Sequence, residues 1–127
     1  MAKNIIKFFG GCSQTEVMSI LKKADIFLLP SVAEILPVSL MEAQCIGLPV
    51  IATSVGAVSE VVVENKSAYL IPSKNPKAIE EKIVELLEDY TIWPEMIKCG
   101  KEHIQLNYNI DILNDRLIKL YEGIVSK

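Results

Sequence analysis

Short apolar runs closed by turn residues alternate with longer segments whose apolar residues recur at helical spacing. This alternation constrains the fold more than any other feature. Ile5–Phe9 closes at Gly10-Gly11, Ile26–Leu29 stops at Pro30, and Pro49–Ala52 and Tyr69–Ile71 read as two further short strands. Continuous apolar runs of this kind fit strands buried on both faces. Between them, Ser13 and Glu16 form a capping box that predicts a helix to about Lys23. Pro37 in a first helical turn predicts a helix through Cys45, with Gly47 as its stop. Ser59–Glu64 reads as a short helix or turn. Asn75-Pro76 caps a helix whose stripe is Ile79, Ile83, Leu86 and Leu87. Two more helices follow, over Trp93–Gln105 and along Ile110, Leu113, Leu117, Tyr121 and Ile124. Strands separated by helices predict an α/β chain. The expected architecture is a Rossmann-like three-layer αβα fold, with a mostly parallel sheet of about four strands and a helical C-terminus packed across it.

The 127 residues suit one domain with a core of its own. Cys12, Cys45 and Cys99 are dispersed and form no metal-ligand spacing. An odd number of scattered thiols fits a reducing, cytoplasmic setting. With 13 basic against 16 acidic residues, the chain has no broad cationic footprint for nucleic acid. No apolar run reaches the roughly 18 residues of a membrane span. The start, MAKNIIKFFGG, has no signal-peptide pattern and reads as folded protein.

The chemistry concentrates between Ala24 and Leu70. Glu34 and Glu42 stand on either side of the helix predicted to begin at Pro37. At about 1.5 Å rise per residue, their carboxylates straddle the helix N-terminus by roughly 8–12 Å. Unpaired N–H groups and the positive end of the helix dipole lie between them and suit phosphate. Each carboxylate is a two-oxygen acceptor for sugar hydroxyls. A ligand with hydroxyls at both ends and phosphate in the middle matches this layout, and a nucleotide sugar is such a ligand. Taken singly, Glu34 and Glu42 read as ordinary solvated carboxylates. Gly47 reads as a helix stop, Glu60 as a helix cap or ligand contact, and Trp93 as a helix-start anchor. His103 reads as a surface or packing residue, and Ser31 and Ser39 have no triad partners.

Taken in order, Pro30-Ser31, Glu34, Glu42-Ala43, Gly47, Pro49-Val50-Ile51-Ala52-Thr53, Gly56 and Glu60 resemble the motif of the retaining family 4 (group 1) glycosyltransferases. The resemblance is to the C-terminal, donor-binding domain of the GT-B fold and covers nearly the whole chain. It implies that Glu34 contacts the donor sugar and Glu42 the ribose. Backbone amides around Leu36, Pro37 and Val38 would face the sugar and diphosphate, with Gly56 lining the same site. It further implies metal-independent transfer from a UDP- or GDP-sugar to a glycan or lipid-linked acceptor. In the full enzyme the location would be cytoplasmic and peripheral to the membrane.

The chain departs from that family at several positions. Ile35 and Leu36 replace the usual Gly-Phe, Ala57 replaces the second glycine of a pair, and Asn65-Lys66-Ser67-Ala68 replaces a glycine-containing loop. No acceptor domain and no Arg/Lys diphosphate-binding segment precede Ile5. Residues 1–127 therefore read as a partial donor-binding domain, inactive alone and completed by an acceptor domain or a partner chain. In the usual strand order the Ile26–Leu29 edge would be exposed, which predicts strand rearrangement or a homodimer through that edge. The alternative reading is a non-catalytic binding or assembly module derived from a glycosyltransferase.

Overall fold

The computed structural model describes residues 5–126. The first four residues, read above as part of the folded chain, lie outside the described residues. The elements run α1 (Gln14–Leu21), β1 (Phe27–Leu29), α2 (Val38–Ile46), β2 (Val50–Thr53), α3 (Val58–Val61), β3 (Ala68–Ile71), α4 (Pro76–Glu88), α5 (Trp93–Tyr108) and α6 (Ile110–Val125). A 3-10 turn at Tyr90–Ile92 joins α4 to α5.

Local chemistry explains where most helices start and stop. The Ser13 hydroxyl accepts from Glu16 N–H, and the Glu16 carboxylate accepts from Ser13 N–H at 2.7 Å, completing the capping box. Gly47 ends α2 in the left-handed region at φ 99°, and its N–H donates to Ala43 O. The Asn75 side chain accepts from Ala78 N–H, with Pro76 at the first helical position of α4. At the start of α5, the Trp93 indole donates to Leu86 O at 2.9 Å and its ring packs on Tyr90. Trp93 is thus the anchor its position suggested.

Among the described residues three parallel strands make the sheet, in the order β1-β2-β3. β2 is central and buried at all four positions. Alternation along β2 sends Val50 and Ala52 to one face and Ile51 to the other. The first face packs on Leu40 and Ala43 of α2, Val58 and Val61 of α3, and Ile104 of α5. The second packs on Leu86 of α4 and Met96 of α5, with Ile71 beside Ile51. These are the three layers the alternation predicts. Each fully buried Val, Leu or Ile contributes about 1.5–3 kcal/mol relative to exposure, so β2 and its two coverings dominate stability.

Two expectations fail. Ile5–Phe9 does not form a fourth strand, and Phe8 is 92% exposed. A strand needs a neighbouring backbone to satisfy its N–H and C=O groups, and among the described residues this segment has none. The last helix does not pack across the sheet either. α6 buries no residue, and Leu113, Leu117, Leu120, Tyr121 and Ile124 all face solvent. Among the described residues β1 pairs only with β2, which leaves its other edge open as expected.

Candidate functional site

In a parallel sheet with helical crossovers, the loops leaving the carboxyl ends of the strands converge on one edge. Here they are residues 30–37 after β1 and residues 54–57 after β2. The first carries Glu34 and the second carries Gly56.

The Glu34 loop is held from three sides. The Ser31 hydroxyl donates to Glu34 Oε1 at 2.6 Å. The Thr53 hydroxyl donates to Ser31 O at 2.5 Å, tying the loop to the end of β2. Gly56, at φ 52°, lies so close that a Cβ there would stand 1.7 Å from Glu34 O. Glycine is therefore required at 56 for two independent reasons, its left-handed backbone and the Glu34 carbonyl above it. Ala57 sits at φ −86° and has no such need. Asn65 takes the left-handed conformation at φ 58° in the loop before β3, a role Asn tolerates. Ile35 avoids positive φ, and its side chain, 91% exposed, points to water. The replaced glycines are thus accommodated by the backbone.

α2 begins where the Glu34 loop ends. Pro37 is buried and serves as the N-cap, one position before the first helical turn expected for it. It has no N–H, and no side chain caps the helix. Val38 N–H turns back to Leu36 O at 3.0 Å. Of the three residues expected to offer amides, Leu36 alone retains a donor without a backbone partner among the described residues, joined by Ser39 in the first turn. No acidic residue occupies that turn, so the dipole's positive end is not neutralised locally.

Glu42 lies one turn further along α2 and is half-buried. One of its oxygens accepts a hydrogen bond from the side-chain amide of Gln14, the first residue of α1. Sequence reasoning passed over Gln14. The capping box located the start of α1, but nothing in local spacing brings that start to a residue 28 positions on.

Glu60 does not cap α3, whose N-cap is Ala57 without a side-chain bond. Its carbonyl instead accepts from His103 Nε2 and from Tyr108 OH, each at 2.9 Å. His103 therefore fastens α5 to α3, the packing role expected of it. Gln44, buried in α2, adds a bond to Val61 O at 2.8 Å. Among the described residues, no group of three or more His, Cys, Asp or Glu could hold a metal ion. No helix among them is long and apolar enough to cross a membrane.

A family model described as glycosyl transferases group 1 matches residues 1–105, which contain every site residue above. The chain belongs to the group 1 glycosyltransferases. It is 29% identical over 129 aligned positions to a protein of Escherichia coli K12 named for colanic acid biosynthesis, the glycosyltransferase WcaL. That alignment takes in 96% of this chain and 32% of WcaL. The crystal structure of the C-terminal domain of LpcC, a group 1 family protein of Francisella tularensis, superposes with a TM-score of 0.72 at 27% identity. The match covers 83% of this chain and 53% of that one. The fold is also that of HepE from Anabaena, solved in complex with UDP-glucose, with a TM-score of 0.84 at 18% identity. That superposition covers 95% of this chain and 33% of HepE. The chain thus spans about a third of the length of the curated relatives it matches. Within this group 1 chain, the fold sets Gly56 against Glu34 at the sheet edge, with Leu36 and Pro37 in the same loop as Glu34 and Val38 and Glu42 on the helix that leaves it.

Proposed function

We propose that this chain is the donor-binding part of a retaining glycosyltransferase that takes its sugar from UDP- or GDP-sugar. The observation that carries this reading is the start of α2, uncapped and free of acidic side chains, with Glu34 before it and Glu42 within it. Glu34, clamped by Ser31, accepts from hydroxyls of the donor sugar. Glu42 accepts from the ribose hydroxyls. The Leu36 and Ser39 amides and the helix dipole attract the diphosphate between them, and the negative charge that grows there as the sugar leaves is stabilised by the same groups. The reading includes metal-independent transfer, with cationic side chains from outside this site offsetting the diphosphate charge. Gly56 allows the Glu34 loop to close down over it and lines the same site.

HepE was solved with UDP-glucose, which makes UDP-sugars the first donors to try. WcaL is named for colanic acid biosynthesis, so an extracellular polysaccharide or its lipid-linked precursor is the acceptor class proposed. Transfer would need an acceptor-binding domain and cations on the diphosphate, in cis or from a partner chain, with the full enzyme working at the cytoplasmic membrane surface. The 127 residues alone should bind donor without turning it over. Release of sugar onto acceptor by this chain alone would end that part of the reading.

Calorimetry with UDP, GDP and their sugars tests the site directly. Binding that is lost in Glu42→Ala supports it. Silence at millimolar nucleotide would favour the second reading, a non-catalytic assembly module, for which the exposed Ile35 at the lip of the site is the favouring observation. The open edge of β1 adds a homodimer to the proposal, and a strict monomer by light scattering at high concentration would remove it.

A further inference from the structure

Gln14 is the only side chain outside α2 and its entry loop that reaches one of the two candidate ligand carboxylates among the described residues. Its amide nitrogen donates to Glu42 Oε1 across 28 residues of sequence. The nitrogen must be the atom facing Glu42, because the amide oxygen would meet the carboxylate acceptor to acceptor. Gln14 itself is not free to wander. It opens α1 directly after Ser13, and the Ser13–Glu16 capping box fixes that backbone. α1 is seated in turn by Val17 and Leu21 in the core shared with α2.

We infer that Gln14 is a positioning residue for nucleoside recognition, holding the Glu42 carboxylate so that its second oxygen faces the vicinal diol of the ribose. This rests on the donor-binding reading of Glu42. A carboxylate on a helix turns freely about its last side-chain bonds. With one oxygen bonded to a neutral donor, that rotation is restricted without a neighbouring positive charge. A lysine in the same place would also pin the carboxylate, but it would offset the charge that makes it a strong acceptor. The arrangement thus favours ligands with two adjacent hydroxyls over those that lack them.

The test is calorimetry on the full chain with UDP and GDP, and with their 2′,3′-dideoxy analogues, for wild type, Gln14→Ala, Gln14→Glu, Glu42→Ala and the Gln14→Ala/Glu42→Ala double variant. Gln14→Ala should weaken the ribonucleotide about tenfold, the scale of one charge-assisted hydrogen bond. It should leave the dideoxy analogue within about twofold, because the lost contact acts only through the diol. Gln14→Glu, equal in size but with no donor, should be weaker still. In the Glu42→Ala background, Gln14→Ala should add nothing. Thermal melting of each variant checks that it keeps the wild-type fold, and the Gln14 side-chain amide proton resonances should shift in Glu42→Ala even without nucleotide. Equal losses for both ligand types, or additive losses in the double variant, would overturn the inference while leaving Glu42 as a ligand residue. Absence of any nucleotide binding by wild type would overturn the donor-binding reading and this inference with it.

Discussion

Leu40 and Leu117 are both leucines on helices, and only the helix of Leu117, α6, carries a clear apolar stripe. Leu40 is fully buried under β2, whereas Leu117 on α6 is 48% exposed. The same contrast divides the molecule. From α1 to α5, helices close on a parallel sheet from both sides. In α6, only Ile112 is even half-buried. The family model also ends at residue 105, before α6 begins. An apolar stripe therefore declares that a helix can be buried, and only a facing surface decides that it is. The candidate site lies wholly on the packed side of this division, where its loops can be held to a fixed geometry.

The largest effect should come from the buried leucine. Leu40→Ala removes a fully enclosed side chain and should cost about 3–5 kcal/mol in urea denaturation, against no more than about 0.5 kcal/mol for Leu117→Ala. Equal costs would mean that α6 is covered in solution and would break the comparison. Gly56→Ala comes next. The left-handed backbone and the Glu34 carbonyl together should cost about 2–4 kcal/mol, with nucleotide binding falling further than stability because the loop must lift. A well-folded Gly56→Ala chain with unchanged affinity would separate the Glu34 loop from the site.

Asn75→Ala, which removes the α4 cap, should cost about 1 kcal/mol in the same denaturation series. It tests whether the packed side depends on local caps as well as on burial. The smallest effect concerns pH. Tyr69 of β3 donates to the Glu85 carboxylate of α4 at 2.7 Å, and this bond pushes the phenol pKa up to about 12, with some burial adding to it. The unfolded phenol ionises near 10. The contribution is therefore fully present below pH 10 and is lost as pH rises from there towards 12. Thermal melts should show Tyr69→Phe losing less stability than wild type across that window, and parallel curves would remove the tie between β3 and α4.

Much of the packed side was legible in advance. The capping box at Ser13, the stop at Gly47 and the Asn75-Pro76 start are local devices whose partners lie within a few residues, and each stands where the sequence places it. The order of the motif singles out Glu34, Glu42 and Gly56 as candidates, and the fold places Gly56 against the Glu34 loop. What Gly56 does was not legible, because the carbonyl it makes room for lies 22 residues away. Gln14 was missed for the same reason, and Ile5–Phe9 was misread because an apolar run carries no record of whether another backbone will stand beside it.

By itself, the sequence determined the alternation of helix and strand, the helix ends and the family, since each is written in spacing and in short-range hydrogen bonding. Tertiary structure alone decided the number of strands, the bareness of α6, the clamp on Glu34 and the pairing of Gln14 with Glu42. Those features depend on which distant surfaces meet, and burial and hydrogen bonding across such meetings are properties of the packed chain rather than of any stretch of it.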